Sequence, residues 1–386
     1  MAITLLVTDR DLTVVGDPIA CWETVDATVR LNAAGSAQFT TPAHPWIREQ
    51  IDAAHRVVLI RDRRVFIAGP IEEYQIEQSD DGDNSGDGKL TVTWTDDLAL
   101  VLRRQAYPNP ALTPEEQFTD YWEWDGNREL GLHALVNANA GPGARSERQV
   151  PHLVLDSPTG ITATGKVSSG WELLGEPMNR LAGDDVGFRT TQDMAGGRIL
   201  FQTFPLLDKS NEVRFGFGLG NLRYLSFKRE APRATTAIVG GQGEGADRYV
   251  IERTNDVAEA MWGRREVLVS RNGSDPVEEL ETAGDEQLRD DGETYQLTTS
   301  AWDTPDQRYP EHYDVGTRVS VALGPNLQVS ERVQLVHLQA WATAGELASA
   351  MVGTQEESND PLWLRRVRAL EREVSRLGRT TRPASG

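Results

Sequence analysis

SFKREAPRATTAIVGGQGEGADRYVIER, residues 226–253, holds three pieces in a row. Residues 226–239 gather the β-formers Phe227, Thr235, Thr236, Ile238 and Val239. Gly240-Gly241-Gln242-Gly243-Glu244-Gly245 follows, and Tyr249, Val250 and Ile251 resume a strand-like run. A phosphate cradle needs glycines that open onto a helix, whose free N–H groups and dipole hold the anion. These glycines open onto a strand, and no Gly-Lys-Ser/Thr follows them. The run therefore predicts a connection between strands, with glycine supplying positive φ. The chain divides around it: hairpins and a less regular middle before, a second β set and a helix after.

The totals narrow the classes. A chain of 386 residues exceeds one core, so two or three packed units are expected. There is no apolar run of membrane-spanning length, and MAITLLVTDRDLTVV reads as a first strand rather than a leader. The single cysteine, Cys21, excludes a disulfide framework and a cysteine-based zinc site within the chain. Beside Trp22 it reads as a small packed residue. A net charge of −20 excludes gripping nucleic acid by phosphate neutralisation. The same charge suits a passage through which DNA slides without sticking.

Residues 3–76 alternate short β signals with turns. The segments 24–32 and 37–40 are separated by Gly35-Ser36, and 44–54 predicts a short helix carrying Trp46, Ile47 and Ile51. Arg61-Asp62-Arg63 joins 56–60 to 64–68 as a hairpin, and 71–77 with 90–94 forms another. At its tip, Asp81, Asp83, Ser85 and Gly86 match half of a calcium loop. The twelfth position, which needs a bidentate Glu, is Val92, so a solvated tip is expected, with calcium in the 80–88 loop left open.

The middle opens with Pro108, Pro110 and Pro114. Thr113-Pro114-Glu115-Glu116 predicts a capped helix through Phe118 and Tyr121. Helices are expected over 130–139 and 170–182, the second with Trp171, Leu174, Met178 and Leu181 on one core-facing stripe. Strands are expected over 187–191 and 198–204. Beyond the glycine run, strands are expected over 262–271, 294–301, 317–323 and 330–340, and a helix from Asp275-Pro276 to Asp291-Gly292.

Two constellations invite a function. Tyr121, Trp122 and Trp124 alternate with carboxylates; exposed, such rings bind sugars, and buried, they are core. Trp363, Val367, Leu370, Val374 and Leu377 repeat at alternating four and three, an a/d seam about two heptads long that serves self-association, docking on a partner, or packing on its own domain. The last residues after this seam are expected to be disordered. The six histidines, His44, His55, His133, His152, His312 and His337, show no metal spacing, and no GxSxG elbow exists. Nothing selects a glycosidase pair among 59 carboxylates. No catalytic residue, metal or cofactor is expected.

Four pieces carry a resemblance: TVRLNAAGSAQFTTPAHP with VFIAGPIEEY; GFGLGNLRYLSFKREAPRATTAIVGGQGEGADR; WGRREVLV; and YPEHYDVGTRVSVAL. Together they cover most of residues 20–340. The chain resembles the minor tail proteins of long-tailed phages infecting actinobacteria, the group akin to tail-hub and baseplate-hub proteins. In the fourth piece the family's tyrosine-aspartate-hydrophobic-glycine-aspartate pattern ends in Thr317 instead of an acid.

The resemblance implies a mainly β fold with an α+β insertion. Two β-barrel-like hub domains, 1–105 and 229–345, would flank a middle α+β domain, 106–228. A C-terminal amphipathic or coiled-coil helix and tail, 346–386, would follow. It implies a homotrimer forming a pseudo-sixfold ring in the virion tail tip, made in the host cytoplasm. Its neighbours would be the distal tail protein, the tape-measure protein and the central fibre, with genomic DNA passing through the lumen unbound. The motifs are structural, so no enzyme is expected. Some relatives carry a C-terminal lytic or glycan-binding domain, for which the stretch after the last predicted strand is too short. The alternatives are the hub of a contractile injection system, a tail-tip peptidoglycan hydrolase and a glycan-binding adsorption protein.

Overall fold

Strands from the two ends of the chain meet in one sheet. Thr24–Arg30 pairs antiparallel with Ala33–Pro42 on one side and with Gln328–Trp341 on the other. The computed structural model describes residues 3–78, 88–243, 248–271, 277–324 and 327–353. The calcium-loop residues Asp81, Asp83, Ser85 and Gly86, and the seam residues Trp363, Val367, Leu370, Val374 and Leu377, lie outside them.

The chain forms two compact units, Met1–Tyr224 with Thr299–Gly386, and Leu225–Thr298. In the first, the sheet runs Ile3–Thr8, Arg56–Arg61, Arg64–Glu77, Lys89–Thr95, Ala33–Pro42, Thr24–Arg30, Gln328–Trp341, Gly345–Val352. Ala301 and Trp302 pair with Ala350 and Ser349 at one end, and Arg318–Ala322 branches from Gln328–Trp341. Period-two alternation explains the pairing: Leu90, Val92 and Trp94 are fully buried, while Thr91 and Thr93 are half-buried on the opposite face. The Phe39 and Trp94 rings meet edge to face at 5.9 Å. Each such side chain buried contributes about 1.5–3 kcal/mol. The fold is mainly β with helical insertions, and among the described residues no sheet closes into a barrel.

The insertion builds a second core in the same unit. Asn127 caps the helix Arg128–Asn139 by accepting the Leu130 N–H at 2.9 Å. Leu132, Leu135 and Val136 of that helix pack with Leu174, Met178 and Leu181 and with Phe188 and Phe201 of the hairpin Val186–Asp193/Arg198–Pro205.

The smaller unit holds a three-stranded sheet, Val250–Thr254, Thr236–Gly240, Glu266–Ser270. The helix Val277–Asp290 covers one face, setting Leu280, Ala283 and Leu288 on Ala237 and Val239. The glycine run connects the first two strands as expected: Gly241 N–H bonds the Tyr249 carbonyl, and Tyr249 N–H bonds the Gln242 carbonyl. A side chain at Gly240 would meet the Arg248 guanidinium at 2.5 Å, so that arginine would have to shift to admit one.

Several local expectations need correction. Pro114–Glu116 is one 3-10 turn closed by a Thr113–Glu116 capping box, and no helix continues to Tyr121. The helix expected over 170–182 begins at Gly175; Trp171 takes a left-handed φ of 55° and stays half-exposed, off the core stripe. The helix over 44–54 is the single turn Pro45–Arg48. Trp262 ends a helix, Asp256–Trp262, and the strand starts at Glu266. Gly345–Val352 is a strand, inside the stretch expected to be helix and tail.

Candidate functional site

A cleft opens in the first unit, and its walls follow from one tight turn. Asp62 and Arg63 both take left-handed φ, 51° and 66°, which matches the twist of the flanking strands. The turn brings Arg61, Asp62 and Arg64 beside residues 308–315. The resulting cleft has a volume of about 820 Å³, an apolar floor that includes Phe66 and Ile67, and a rim of arginines and carboxylates.

Arg61 is buried at its centre. It reaches Glu346 Oε1 at 3.0 Å, Asp303 Oδ2 at 3.2 Å and the Tyr309 carbonyl at 3.3 Å. Burial works against the Arg61 charge, but Glu346 and Asp303 outweigh it and hold its pKa above the ordinary value. Tyr313 O–H donates to Asp303 Oδ1 at 2.7 Å, and burial raises the Tyr313 and Tyr309 phenols. On the rim, Arg308 pairs with Asp62 at 2.6 Å and Arg189 with Asp314 at 2.7 Å.

The YPEHYDVGT segment is therefore a brace. Asp314 holds Arg189, Tyr313 holds Asp303, and Thr317 Oγ1 accepts the Asp314 N–H at 3.1 Å. Thr317, where the family pattern has an acid, still supplies an acceptor to the turn at Gly316, whose φ is +83°.

Two acids stand out by their pKa. Burial pushes Asp96 up to about 7 against the Gly35 and Leu98 N–H bonds, and Asp97 up to about 6 against Arg56. Neither is free for proton transfer. Asp96 accepts Gly35 N–H at 2.7 Å and Leu98 N–H at 2.9 Å, and both Asp97 oxygens accept Arg56 Nη2, at 2.6 and 2.7 Å. These contacts tie a strand end to a helix start, which is a structural duty.

The aromatic trio sits in the insertion. Trp122 and Trp124 share one face of Trp122–Asn127 and stack at 6.0 Å with 10° between planes. Both are half-buried on the insertion core, and Trp124 Nε1 donates to the Asn127 carbonyl at 2.9 Å. Tyr121 is exposed. Reading the sequence missed Trp171, which lies 4.9 Å from the Tyr107 ring; only its strained backbone marks it. Val92, at the twelfth calcium-loop position, is fully buried in a strand and offers no ligand. Among the described residues no cluster of three metal-ligating side chains occurs.

With this geometry the comparisons can be stated. The 43 kDa tail protein of prophage MuSo2 from Shewanella oneidensis superposes with a TM-score of 0.54 at 14% identity, covering 91% of this chain and 97% of that one. The tail protein from Neisseria meningitidis MC58 superposes at 0.50 and 14%, covering 92% and 97%. No curated protein sequence matches. The fold is that of these two tail proteins. The chain belongs to the family described as Siphovirus ReqiPepy6 Gp37-like protein, which it matches over residues 4–354.

Proposed function

We propose that this chain is the hub of the tail tip: a homotrimer forming a pseudo-sixfold ring that joins the tail tube and distal tail protein to the central fibre and lines the DNA exit channel. The family match over residues 4–354 carries the reading. The charge of −20 supports it, because a lumen wall must repel the DNA that passes it. The role proposed is structural and not catalytic: Asp96 and Asp97 are committed to backbone N–H groups and to Arg56. Electron microscopy of assembled tails tests the reading. Three copies around the axis at the tip support it; a single copy, or a position along the tube wall, contradicts it.

A second reading has one observation behind it. Phe118, Tyr121 and Trp171, all in the insertion, expose large aromatic faces at 77%, 57% and 42%. Exposed rings of this kind bind sugar faces, which would make the insertion an adsorption surface for host glycans. Loss of cell-wall polysaccharide binding in Tyr121→Ala and Trp171→Ala at unchanged melting temperature supports it. Equal binding by wild type and variants contradicts it.

A further inference from the structure

Two neighbouring loops of the first unit form an apolar tip. The short strand Arg214–Phe215 runs parallel to Arg318–Ala322, with Phe215 opposite Val321. Parallel strands leave a sheet at the same end, so the loop after Phe215 and the turn after Ala322 emerge side by side. In the first loop Phe217–Leu219 is a 3-10 turn, closed by Leu219 N–H on the Gly216 carbonyl and Gly220 N–H on the Phe217 carbonyl. Asn221 locks its base: Oδ1 accepts the Gly216 N–H and Nδ2 donates to the Arg214 carbonyl, both at 2.9 Å. The second loop is closed by Leu323 N–H on the Leu327 carbonyl at 2.8 Å.

These closed loops hold Phe217, Leu219 and Leu327 in water, exposed at 59%, 57% and 55%. Single exposed apolar residues are ordinary, but an apolar tip built from two loops marks a contact site. Charge is absent around it. In a chain with 25% charged residues, neither 215–222 (FGFGLGNL) nor 319–330 (VSVALGPNLQVS) carries one. A Cβ at Gly218 would meet nothing within 4 Å, and its φ is not left-handed, so neither packing nor backbone asks for glycine there. The glycine keeps the tip thin.

Behind the tip the chemistry changes. Trp302 N–H bonds the Asn221 carbonyl at 2.9 Å, and the Arg223 guanidinium lies 5.4 Å over the Trp302 ring. Trp302 and Tyr224 are exposed. Arg214 and Arg223 are exposed too, and neither meets a carboxylate among the described residues. Each stands two residues back from its loop, roughly 7 Å along the strand. Apolar tip, aromatic ring and unpaired cation follow in the order of acyl chain, interfacial layer and phosphate in a bilayer.

We infer that this tip inserts into a lipid bilayer surface. Phe217, Leu219 and Leu327 enter the acyl boundary, Tyr224 and Trp302 lie at headgroup level, and Arg214 and Arg223 meet the phosphates. Residues 216–220 carry no side-chain donor or acceptor, and Asn221 uses its amide on the loop itself. That suits a fluid acyl layer, which asks for none; a protein socket reads polar partners as well. The contact lies on the membrane and does not span it. It goes beyond the proposed hub and does not need the ring.

Sedimentation of the full-length chain with vesicles tests it, using phosphatidylcholine alone and phosphatidylcholine with phosphatidylglycerol. Wild type should partition onto both. At about 0.15 M salt, where acids beyond about 8 Å are screened, it should prefer the second. Phe217→Ser with Leu219→Ser should weaken both by about tenfold or more at unchanged melting temperature. Arg214→Gln with Arg223→Gln should remove only the phosphatidylglycerol preference. An environment-sensitive dye on Leu219→Cys, in a Cys21→Ser chain, should shift to the blue on vesicles. Wild type that stays in solution with both vesicles overturns the inference, and so does equal partition of wild type and the serine variant. Loss of an oligomer by the serine variant in native mass spectrometry also overturns it, and gives the tip to a second copy of the chain.

Discussion

Asn32 Oδ1 accepts the Phe188 backbone N–H at 2.7 Å across 156 residues of chain, and its Nδ2 donates to the Val186 carbonyl at 3.0 Å. Asn32 turns the hairpin between Thr24–Arg30 and Ala33–Pro42 at a left-handed φ of 51°. One side chain thus makes the turn and fastens the insertion to the large sheet. Asn32→Gly keeps the turn but strands two backbone groups, and is expected to cost about 1–3 kcal/mol. Asn32→Ala adds about 1–2 kcal/mol of left-handed strain. Urea unfolding should rank wild type above Gly above Ala.

Glu129 is almost fully buried and accepts five hydrogen bonds: Thr159 N–H and O–H, Gly160 N–H, Ile161 N–H and Thr203 O–H, all between 2.6 and 2.9 Å. Burial disfavours the carboxylate, but these donors prevail and bring its pKa down to about 2. A depressed folded pKa gives stability that is present above the unfolded value and lost as pH falls through the folded one. The window is therefore from about 4.5 down to about 2, and the amount is on the order of 3 kcal/mol. Glu129→Gln should lower stability at neutral pH and flatten the acid limb of a stability–pH profile.

Gly131 lies inside the helix Arg128–Asn139, where alanine is intrinsically better by about 1 kcal/mol. Here a Cβ would meet Trp124 Nε1 at 2.6 Å and Leu181 Cδ2 at 2.7 Å. Leu181 is fully buried and Trp124 is held by its bond to Asn127, so neither yields. Overpacking costs about 1–3 kcal/mol and wins. Gly131→Ala should lower the melting temperature rather than raise it.

Arg61 contacts both Asp303 and Glu346. Arg61→Met leaves these acids buried without it and is expected to cost about 3–5 kcal/mol. Adding Glu346→Leu should recover part of that loss in a double-mutant cycle, because Asp303 keeps its Tyr309 N–H and Tyr313 O–H donors.

Much of this fold was legible where the signal is local. Leu90, Val92 and Trp94 announce a half-buried strand by alternation, Asp62-Arg63 marks a hairpin, and the run from Gly240 announces a connection. Residues 277–290 carry a helical stripe that the structure keeps. What stayed hidden is set by distant partners. Thr24–Arg30 lies beside Gln328–Trp341, and no short-range pattern encodes that pairing. Trp171 fits a helical stripe by spacing, yet its N–H bonds the Ala106 carbonyl and its backbone turns left-handed, so the tertiary contact overrides propensity. Gly345–Val352 contains Ala348, Ser349 and Ala350, weak strand formers that sit in a sheet because Gln328–Trp341 lies beside them. In the cleft, the YPEHYDVGT motif was legible as a signature. Its purpose was not, because Arg61 and Arg189 come from remote stretches.

Native mass spectrometry of the full chain beside a chain ending at Gly353 tests the hub most directly. A trimer of the full chain is predicted. If truncation keeps the trimer, the contact lies in the β domains; if truncation abolishes it, the Trp363–Leu377 seam supplies the clamp. A full chain that stays monomeric at high concentration contradicts the ring.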